Sequence, residues 1–149
     1  MSRSAAYGTI QTALFAGFAA VHFLDPGPRT VGGDPVGTVL GDVLSLAGVA
    51  LLFVALQTIG KSIQIAPAPR RDAVLVTHGV YRVLRHPIYT AIVLILVGLV
   101  MRGATAPATG LAAAAIAFLL VKARYEERLL GAHYPEYEEY RRRTWGVLF

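Results

Sequence analysis

The chain has 149 residues, of which 55% are hydrophobic and 15% are charged, whereas about 25% of residues are charged in typical soluble proteins. It carries a net charge of +5 and contains no cysteine. The lack of cysteine excludes disulfides, thiolate zinc sites and a cysteine nucleophile. The excess of apolar residues raises the question of whether they form runs long enough to cross a bilayer.

Four apolar segments predict an all-α, polytopic membrane protein with four transmembrane helices. A span needs about 20 residues, because a helix rises about 1.5 Å per residue across about 30 Å of hydrocarbon. The first two segments reach that length and the last two are shorter, with turn-forming residues between them that predict a helical hairpin. The predicted spans are residues 5–24, 36–59, 87–101 and 106–121, within a single domain of residues 1–149.

Lysine and arginine are distributed unevenly among the segments that connect these spans. Twelve of the 14 lie in the N-terminus, the middle loop and the C-terminal tail, and the other two loops hold only Arg29 and Arg102. Because positively charged loops stay on the cytoplasmic side, both termini and the middle loop are expected there, in the inner membrane of a bacterial cell. Topology and attraction to anionic lipid explain the basic charge, so nucleic acid is not an expected partner.

Few ionisable groups interrupt the predicted spans. Asp42 is such a group, and these often mark functional sites; its position about two turns from the outer end of the second span favours a role in helix packing instead. His22 is expected at the membrane interface. The four histidines form no i,i+4 pair and no motif with a carboxylate, so no metal site is predicted.

A first concentration of polar residues precedes the third span, over residues 77–89. Gly79 permits a turn and a close approach of a ligand to the backbone, and Pro87 suits the first turn of a helix. Arg85 and His86 therefore lie at the N-terminal end of a membrane helix, where the helix dipole favours a carboxylate. For each residue alone, membrane anchoring or helix capping is the alternative.

A second concentration follows the fourth span, at the adjacent carboxylates Glu126 and Glu127. Adjacent residues do not share a helix face. One carboxylate is therefore expected to pair with Arg124 or Arg128 and the other to face a cationic ligand group, a solvated charge pair being the alternative.

The C-terminal tail is charged and aromatic. Pro135 predicts either two helices or a kink at this point. Tyrosine and tryptophan favour the headgroup layer of a bilayer, and the residues expected there are Tyr134, Tyr137, Tyr140, Trp145 and residues 147–149.

Both polar segments resemble motifs of one enzyme family. The segment from Leu75 to Tyr89 is similar to the G-x-Y-R-x-x-R-H-P-x-Y signature of the isoprenylcysteine carboxyl methyltransferases, and the segment from Glu126 to Arg143 to their E-E-x-x-L…Y-x-x-Y motif. The two motifs occur in the family's order on either side of a helical hairpin, and they cover roughly half the chain. Related phospholipid N-methyltransferases share this cofactor-binding half.

The resemblance implies a membrane enzyme that binds S-adenosylmethionine in a cytoplasmic pocket formed by residues 61–86 and 122–149. Arg85, His86 and Glu127 are its implied catalytic residues. The implied cofactor-binding residues are His78, Gly79, Tyr81, Arg85, His86, Pro87, Tyr89, Glu126 and Glu127.

The implied substrate is a lipophilic or prenylated molecule that enters from the membrane lipids and is methylated on a carboxylate. Arg85 is a candidate for orienting that carboxylate. An amine or hydroxyl acceptor would need a base, for which His86 and His78 are candidates. The sequence leaves the oligomeric state open.

Two other functions remain as alternatives. Membrane reductases of sterols or enones have a similar cofactor-binding half but use NADPH, a bulkier ligand that the short tail disfavours. A non-catalytic membrane subunit would keep the fold without the chemistry, which the intact pair of motifs disfavours.

Overall fold

The computed structural model describes residues 3–59 and 75–147, which form an all-helical, polytopic membrane protein as predicted. In these residues a short 3₁₀ turn at Gly79–Arg82 precedes the third of five α-helices. The helices are α1 (Arg3–Leu24), α2 (Pro35–Ile59), α3 (Pro87–Arg102), α4 (Ala106–His133) and α5 (Tyr137–Arg143). By length and composition α1, α2 and α4 can cross a membrane, whereas α3 is a shorter apolar helix of 16 residues. Most of the predicted middle loop lies outside the described residues.

Helix α4 extends well beyond the predicted fourth span, which ends at residue 121. It continues through the charged segment to His133, because that segment consists largely of residues that favour helix, such as alanine, leucine, arginine and glutamate, and contains no proline. Its one glycine, Gly131, lies in the last turn. Glu126 and Glu127 therefore lie on the extension of a membrane helix. Pro135 separates α4 from α5, as predicted.

The helices pack through small residues. α2 packs along α3, α1 packs on α4, and α3 also contacts α4. Gly41 and Gly98 face each other so closely that a Cβ on Gly98 would lie 2.5 Å from the carbonyl oxygen of Gly41. Ala112 and Ala115, in the alanine-rich first half of α4, are buried against Phe18. Such residues allow the close backbone approach on which helix association in lipid depends.

Local contacts hold together the end of the bundle at which α2 begins and α3 ends. Arg102 Nη1 forms an ion pair with Asp42 Oδ1 at 2.8 Å, so Asp42 has the predicted packing role between α2 and α3. The Thr105 hydroxyl caps α4 by accepting a hydrogen bond from the Ala108 N–H at 3.4 Å. His22, expected at the membrane interface, has its ring buried against Phe18, with 5.2 Å between the ring centroids.

At the opposite end, the tail folds back onto the start of α3. The Trp145 N–H donates to the Val83 carbonyl at 2.9 Å, and the Arg85 N–H donates to the Trp145 carbonyl at 2.8 Å. Tyr137 and Tyr140 are only 2% and 6% exposed. Their predicted place in the headgroup layer is wrong, because this face of α5 packs against protein. Val147 is buried in the same way, whereas the Trp145 side chain is exposed.

Candidate functional site

The two predicted polar clusters meet where the start of α3 lies beside the extension of α4. Pro87 occupies the first turn of α3 and His86 precedes it in a non-helical conformation, so the helix begins abruptly at this point. The side chains before and just inside α3 thereby reach the carboxylates of α4. The five residues brought together are Arg85, His86, Tyr89, Glu126 and Glu127.

Arg85 joins α4 to the tail. Its Nε donates to Glu127 Oε1 at 2.8 Å, and the two side chains are 11% and 18% exposed. Its Nη1 donates to the carbonyl oxygen of Arg141 at 2.9 Å and to that of Thr144. Its Nη2 forms no hydrogen bond with the described residues. Because a guanidinium carries five N–H donors in one plane, Arg85 can serve all these acceptors and keep donors for another.

His86 lies between the two carboxylates. Its Nε2 is 3.3 Å from Glu127 Oε1 and its Nδ1 is 3.9 Å from Glu126 Oε2. The ring stacks parallel to that of Tyr89, with 5.4 Å between the centroids. Nε2 is buried and has no hydrogen-bond partner of good geometry among the described residues. Since nearly all buried polar atoms are hydrogen-bonded, this nitrogen marks a position where a ligand could supply the missing partner.

Glu126 belongs to a second network, which extends to α1. The Tyr89 hydroxyl donates to Glu126 Oε1 at 2.7 Å. The same oxygen lies 3.8 Å from the ammonium of Lys122, which donates to Gln11 Oε1 at 2.6 Å and lies 5.3 Å from the centroid of the Tyr89 ring. Lys122 is only 2% exposed, and an ammonium so buried needs such partners to offset the loss of water.

These contacts differ from those expected for the carboxylates. Glu127 pairs with Arg85, and Glu126 with Tyr89 and Lys122, whereas Arg124 and Arg128 are exposed on α4. The expectation was wrong because it considered only charges that are close in sequence, and α3 supplies nearer partners.

Sequence reasoning also missed Lys122 and Gln11 as parts of the site. It counted Lys122 only among the charges that set topology, although the i,i+4 spacing from Lys122 to Glu126 is a signal for a shared helix face. Gln11 has no such signal, because its contact with Lys122 joins residues 111 positions apart.

A cavity of about 320 Å³ opens beside this cluster, at the lower end of the range of roughly 300–1,000 Å³ for small-molecule sites. Its walls combine cationic, anionic and apolar side chains with the backbone of the tail. The lining residues are Arg85, His86, Leu120, Ala123, Arg124, Glu127, Gly146 and Val147. The cavity can thus offer both signs of charge to one ligand.

Three of the nine residues predicted to bind the cofactor line this cavity, namely Arg85, His86 and Glu127. These are also the three predicted catalytic residues. Tyr89 and Glu126 lie in the adjoining network, and Pro87 is buried at the start of α3.

The other three predicted residues lie in the turn before α3. His78 is exposed. Gly79 has a φ of +57°, and a Cβ on it would lie 2.7 Å from Cγ2 of Thr58, so both the backbone and the contact with α2 require glycine. The Tyr81 carbonyl accepts a hydrogen bond from the Tyr140 hydroxyl at 2.6 Å. These contacts build the turn that presents Arg85 and His86, and direct contact with a cofactor stays a prediction.

Tyr81 of this turn and Tyr140 of α5 are neutral at physiological pH. Burial raises the pKa of Tyr81 to about 12 and that of Tyr140 to about 12. The Tyr140 hydroxyl therefore keeps the proton that it donates to the Tyr81 carbonyl.

Comparison with curated proteins identifies two bacterial relatives. The nickel-cobalt-cadmium resistance protein NccN of Alcaligenes xylosoxydans xylosoxydans is 37% identical over 105 residues, which are 67% of this chain and 48% of the relative. The cobalt-zinc-cadmium resistance protein CzcN of Cupriavidus metallidurans is 34% identical over 110 residues, which are 72% of this chain and 50% of the relative. The chain spans about half the length of these relatives.

The fold also matches a solved structure. That structure is the eukaryotic intramembrane Ras methyltransferase, isoprenylcysteine carboxyl methyltransferase, and it matches 99% of this chain and 53% of its own, with a TM-score of 0.67 and 20% identity. At this identity the likeness shows the fold alone. A family model described as phospholipid methyltransferase matches residues 36–137, more than half of the chain. The chain is therefore an integral membrane protein of the phospholipid methyltransferase family, a family of S-adenosylmethionine-dependent methyltransferases.

Proposed function

We propose that this chain binds S-adenosylmethionine and transfers its methyl group to a carboxylate of a lipidic or prenylated substrate at the membrane. The observation that carries the proposal is the cavity where Arg85, His86 and Glu127 meet beside an apolar wall. We further propose that the site lies on the cytoplasmic side, as the charge distribution predicts.

The groups around the cavity fit the amino-acid part of S-adenosylmethionine. The Glu127 carboxylate can hold its amine. The Nη2 of Arg85, which has no partner among the described residues, and the exposed guanidinium of Arg124 can hold its carboxylate. The buried Nε2 of His86 has no hydrogen-bond partner of good geometry in the described part of the chain and can take a hydrogen bond from or give one to the same ligand.

The bound cofactor would supply an electrophilic methyl group on a sulfonium. In the proposed reaction a carboxylate oxygen forms a bond to the methyl carbon as the sulfur–carbon bond breaks, which gives a methyl ester and S-adenosylhomocysteine. The residues of the chain bind both molecules, align them and exclude water, and such positioning can contribute about 7–11 kcal/mol.

The geometry around the carboxylates favours an acceptor that loses no proton. Glu127 is paired with Arg85, and Glu126 accepts the Tyr89 hydroxyl, so both carboxylates are already engaged. A carboxylate acceptor needs no general base. An amine or hydroxyl acceptor would need one, and His86 is the candidate that lines the cavity.

The cavity volume is the observation that bears on the reductase alternative. About 320 Å³ suits a compact ligand better than a nicotinamide dinucleotide, which is much larger than S-adenosylmethionine. Titration of the detergent-solubilised protein with NADPH and with S-adenosylmethionine distinguishes the two; tight binding of NADPH alone would replace the present proposal with reduction.

The direct test combines binding and transfer. We expect calorimetry to show S-adenosylmethionine binding that weakens at least tenfold in Glu127→Gln and Arg85→Gln. It should be unchanged in Glu138→Gln, whose carboxylate is on the exposed face of α5. Lack of binding in the unmodified protein, or equal binding in all variants, would contradict the proposal.

The acceptor is tested with a labelled methyl donor and a lipid extract. A methyl ester releases its label as methanol in mild alkali, whereas N-methyl and ether products keep it. Alkali-stable label would exclude the carboxylate acceptor. Cofactor binding without any transfer, in a protein that co-purifies with a partner, would favour a non-catalytic subunit.

A further inference from the structure

The tail ribbon, formed by the paired segments Arg82–Arg85 and Arg142–Gly146, exposes an unusual mixture of side chains. Val83 and Trp145 are 57% and 58% exposed, although both are apolar. Arg82 and Arg142 are exposed on the same two segments. Isolated exposed apolar residues need no explanation, but this pair is held together by the backbone.

Backbone contacts fix the ribbon at the N-terminal end of α3. The Trp145 N–H donates to the Val83 carbonyl, the Arg85 N–H donates to the Trp145 carbonyl, and Arg85 Nη1 donates to the Thr144 carbonyl. Since α3 begins at Pro87, the ribbon lies at the N-terminal end of this apolar helix.

The ribbon also carries positive charge that the described residues do not neutralise. Arg141 and Arg143 form ion pairs with Glu138 and Glu139 on α5, at 3.7 Å and 3.6 Å. Arg82 and Arg142 are exposed and have no carboxylate partner in the part of the chain that the structure describes. Their guanidinium groups can therefore reach an anion at the surface.

We propose that the tail ribbon binds the anionic surface of the bilayer, with Trp145 in the headgroup layer and Arg82 and Arg142 on lipid phosphates. Tryptophan prefers this layer because its ring is apolar and its N–H is polar. Arginine binds phosphate through paired N–H donors, and basic segments beside a span are attracted to anionic lipid.

The contact has a consequence for the cavity. Gly146 and Val147 line it, and they directly follow Trp145. A bilayer that holds Trp145 in place therefore also holds Gly146 and Val147, the residues that the tail contributes to the cavity lining. This consequence depends on the function proposed above, whereas the lipid contact itself does not.

Trp145 is the only tryptophan of the chain, so its fluorescence reports this position alone. We expect the full chain in lipid nanodiscs to lose most of its emission when the lipids are brominated near the headgroup end of the acyl chain. Bromine near the chain ends should quench several-fold less. Including anionic lipid should reduce quenching by acrylamide, an uncharged aqueous quencher, at least twofold.

The role of the arginines is tested by the double variant Arg82→Gln/Arg142→Gln, which should lose the effect of anionic lipid on acrylamide quenching. The matched control Arg82→Lys/Arg142→Lys keeps both charges and should retain most of that effect. Emission that acrylamide quenches freely and bromine does not would place Trp145 in water and overturn the proposal. Protection from both quenchers would indicate a protein partner and would overturn it equally. No cofactor is added, so these outcomes are independent of the proposed methyl transfer.

Discussion

At the residue scale, Arg85 connects more parts of the candidate site than any other side chain described above. Its guanidinium reaches the Glu127 carboxylate and the carbonyls of Arg141 and Thr144, so one side chain bonds both α4 and the tail. Replacing it would thus change the cavity wall and the cavity charge together. For this reason Glu127→Gln, which keeps the size of the side chain, is the cleaner probe of ligand binding.

The hydrogen bond from Tyr140 to the Tyr81 carbonyl allows a prediction on stability. Tyr140→Phe removes the donor and leaves a buried acceptor without a partner, which costs about 1–3 kcal/mol. We expect a decrease of that size in the free energy of unfolding, measured by titration of detergent micelles with a denaturing detergent.

The control for this variant is Tyr125→Phe. The Tyr125 ring stacks on Tyr7 at 5.1 Å, and its hydroxyl makes no hydrogen bond with the described residues. The control should change the free energy of unfolding by less than about 0.5 kcal/mol. An equal loss in both variants would show that the Tyr140 hydrogen bond has no special contribution.

The residues predicted from the sequence and those missed differ in a physical way. Arg85, His86 and Glu127 lie in motifs whose local composition departs from the surrounding apolar segments, so they could be found. Lys122 and Gln11 acquire their roles only when α1 packs on α4, since their contact joins distant parts of the chain. The burial of Tyr137 and Tyr140 was missed for the same reason, because aromatic periodicity does not say whether a face meets lipid or protein.

At the element scale, α4 connects the membrane core to the site. The helix runs without a break from the alanine-rich packing surface to the carboxylates Glu126 and Glu127. A movement of the N-terminal half of α4 relative to α1 would therefore also move the carboxylates at the site. Lys122 lies between these two regions, where it joins α4 to α1 through Gln11.

This connection predicts a large effect of Lys122→Met on stability. The variant removes the buried cation beside Glu126, whose side chain is 16% exposed, and breaking a buried ion pair typically costs about 3–5 kcal/mol. Arg102→Met is the matched control, because the Arg102–Asp42 pair has side chains that are 59% and 44% exposed and should contribute about 0–1 kcal/mol. Both are measured as free energies of unfolding in detergent, and similar losses would contradict a special role for the buried pair.

A double-variant cycle tests whether Gln11 and Lys122 act together. The combined loss in Gln11→Leu/Lys122→Met should be smaller than the sum of the two single losses by about 0.5–3 kcal/mol. Simple additivity would mean that the 2.6 Å contact does not couple α1 to α4.

The packing of α2 on α3 gives a prediction at the same scale. A Cβ in Gly98→Ala would lie 2.5 Å from the Gly41 carbonyl oxygen, so the helices must separate, and such overpacking costs about 1–3 kcal/mol. In Gly110→Ala the added Cβ meets nothing within 4 Å, and better helix propensity should leave stability unchanged or raise it by up to about 1 kcal/mol. Thermal unfolding in detergent compares the two, and an unaffected Gly98→Ala protein would show that α2 and α3 pack less closely.

At the scale of the whole molecule, the ends of the bundle differ in chemistry. The end at which α2 begins and α3 ends is held by the Asp42–Arg102 pair and by the loops around Val31 and Ala104. The other end holds the candidate site and most of the positive charge. The number and order of the helices were predictable, because apolar runs and turn formers are local signals. The length of α4 was not, because the boundary of an apolar run is not the boundary of a helix.

The charge distribution also predicts which end of the molecule faces the cytoplasm. The chain contains no cysteine, so single introduced thiols can report on each side. Thr30→Cys lies in the exposed loop between α1 and α2, and Ala132→Cys lies at the exposed end of α4. With twelve of 14 basic residues on the side of Ala132, a membrane-impermeant maleimide should label Thr30→Cys in intact spheroplasts. It should label Ala132→Cys only in inverted vesicles. The reverse pattern would put the site outside the cell. Labelling of both positions on one side would show that an even number of helices crosses the membrane between them, as when α2 and α4 cross but the 16-residue α3 does not.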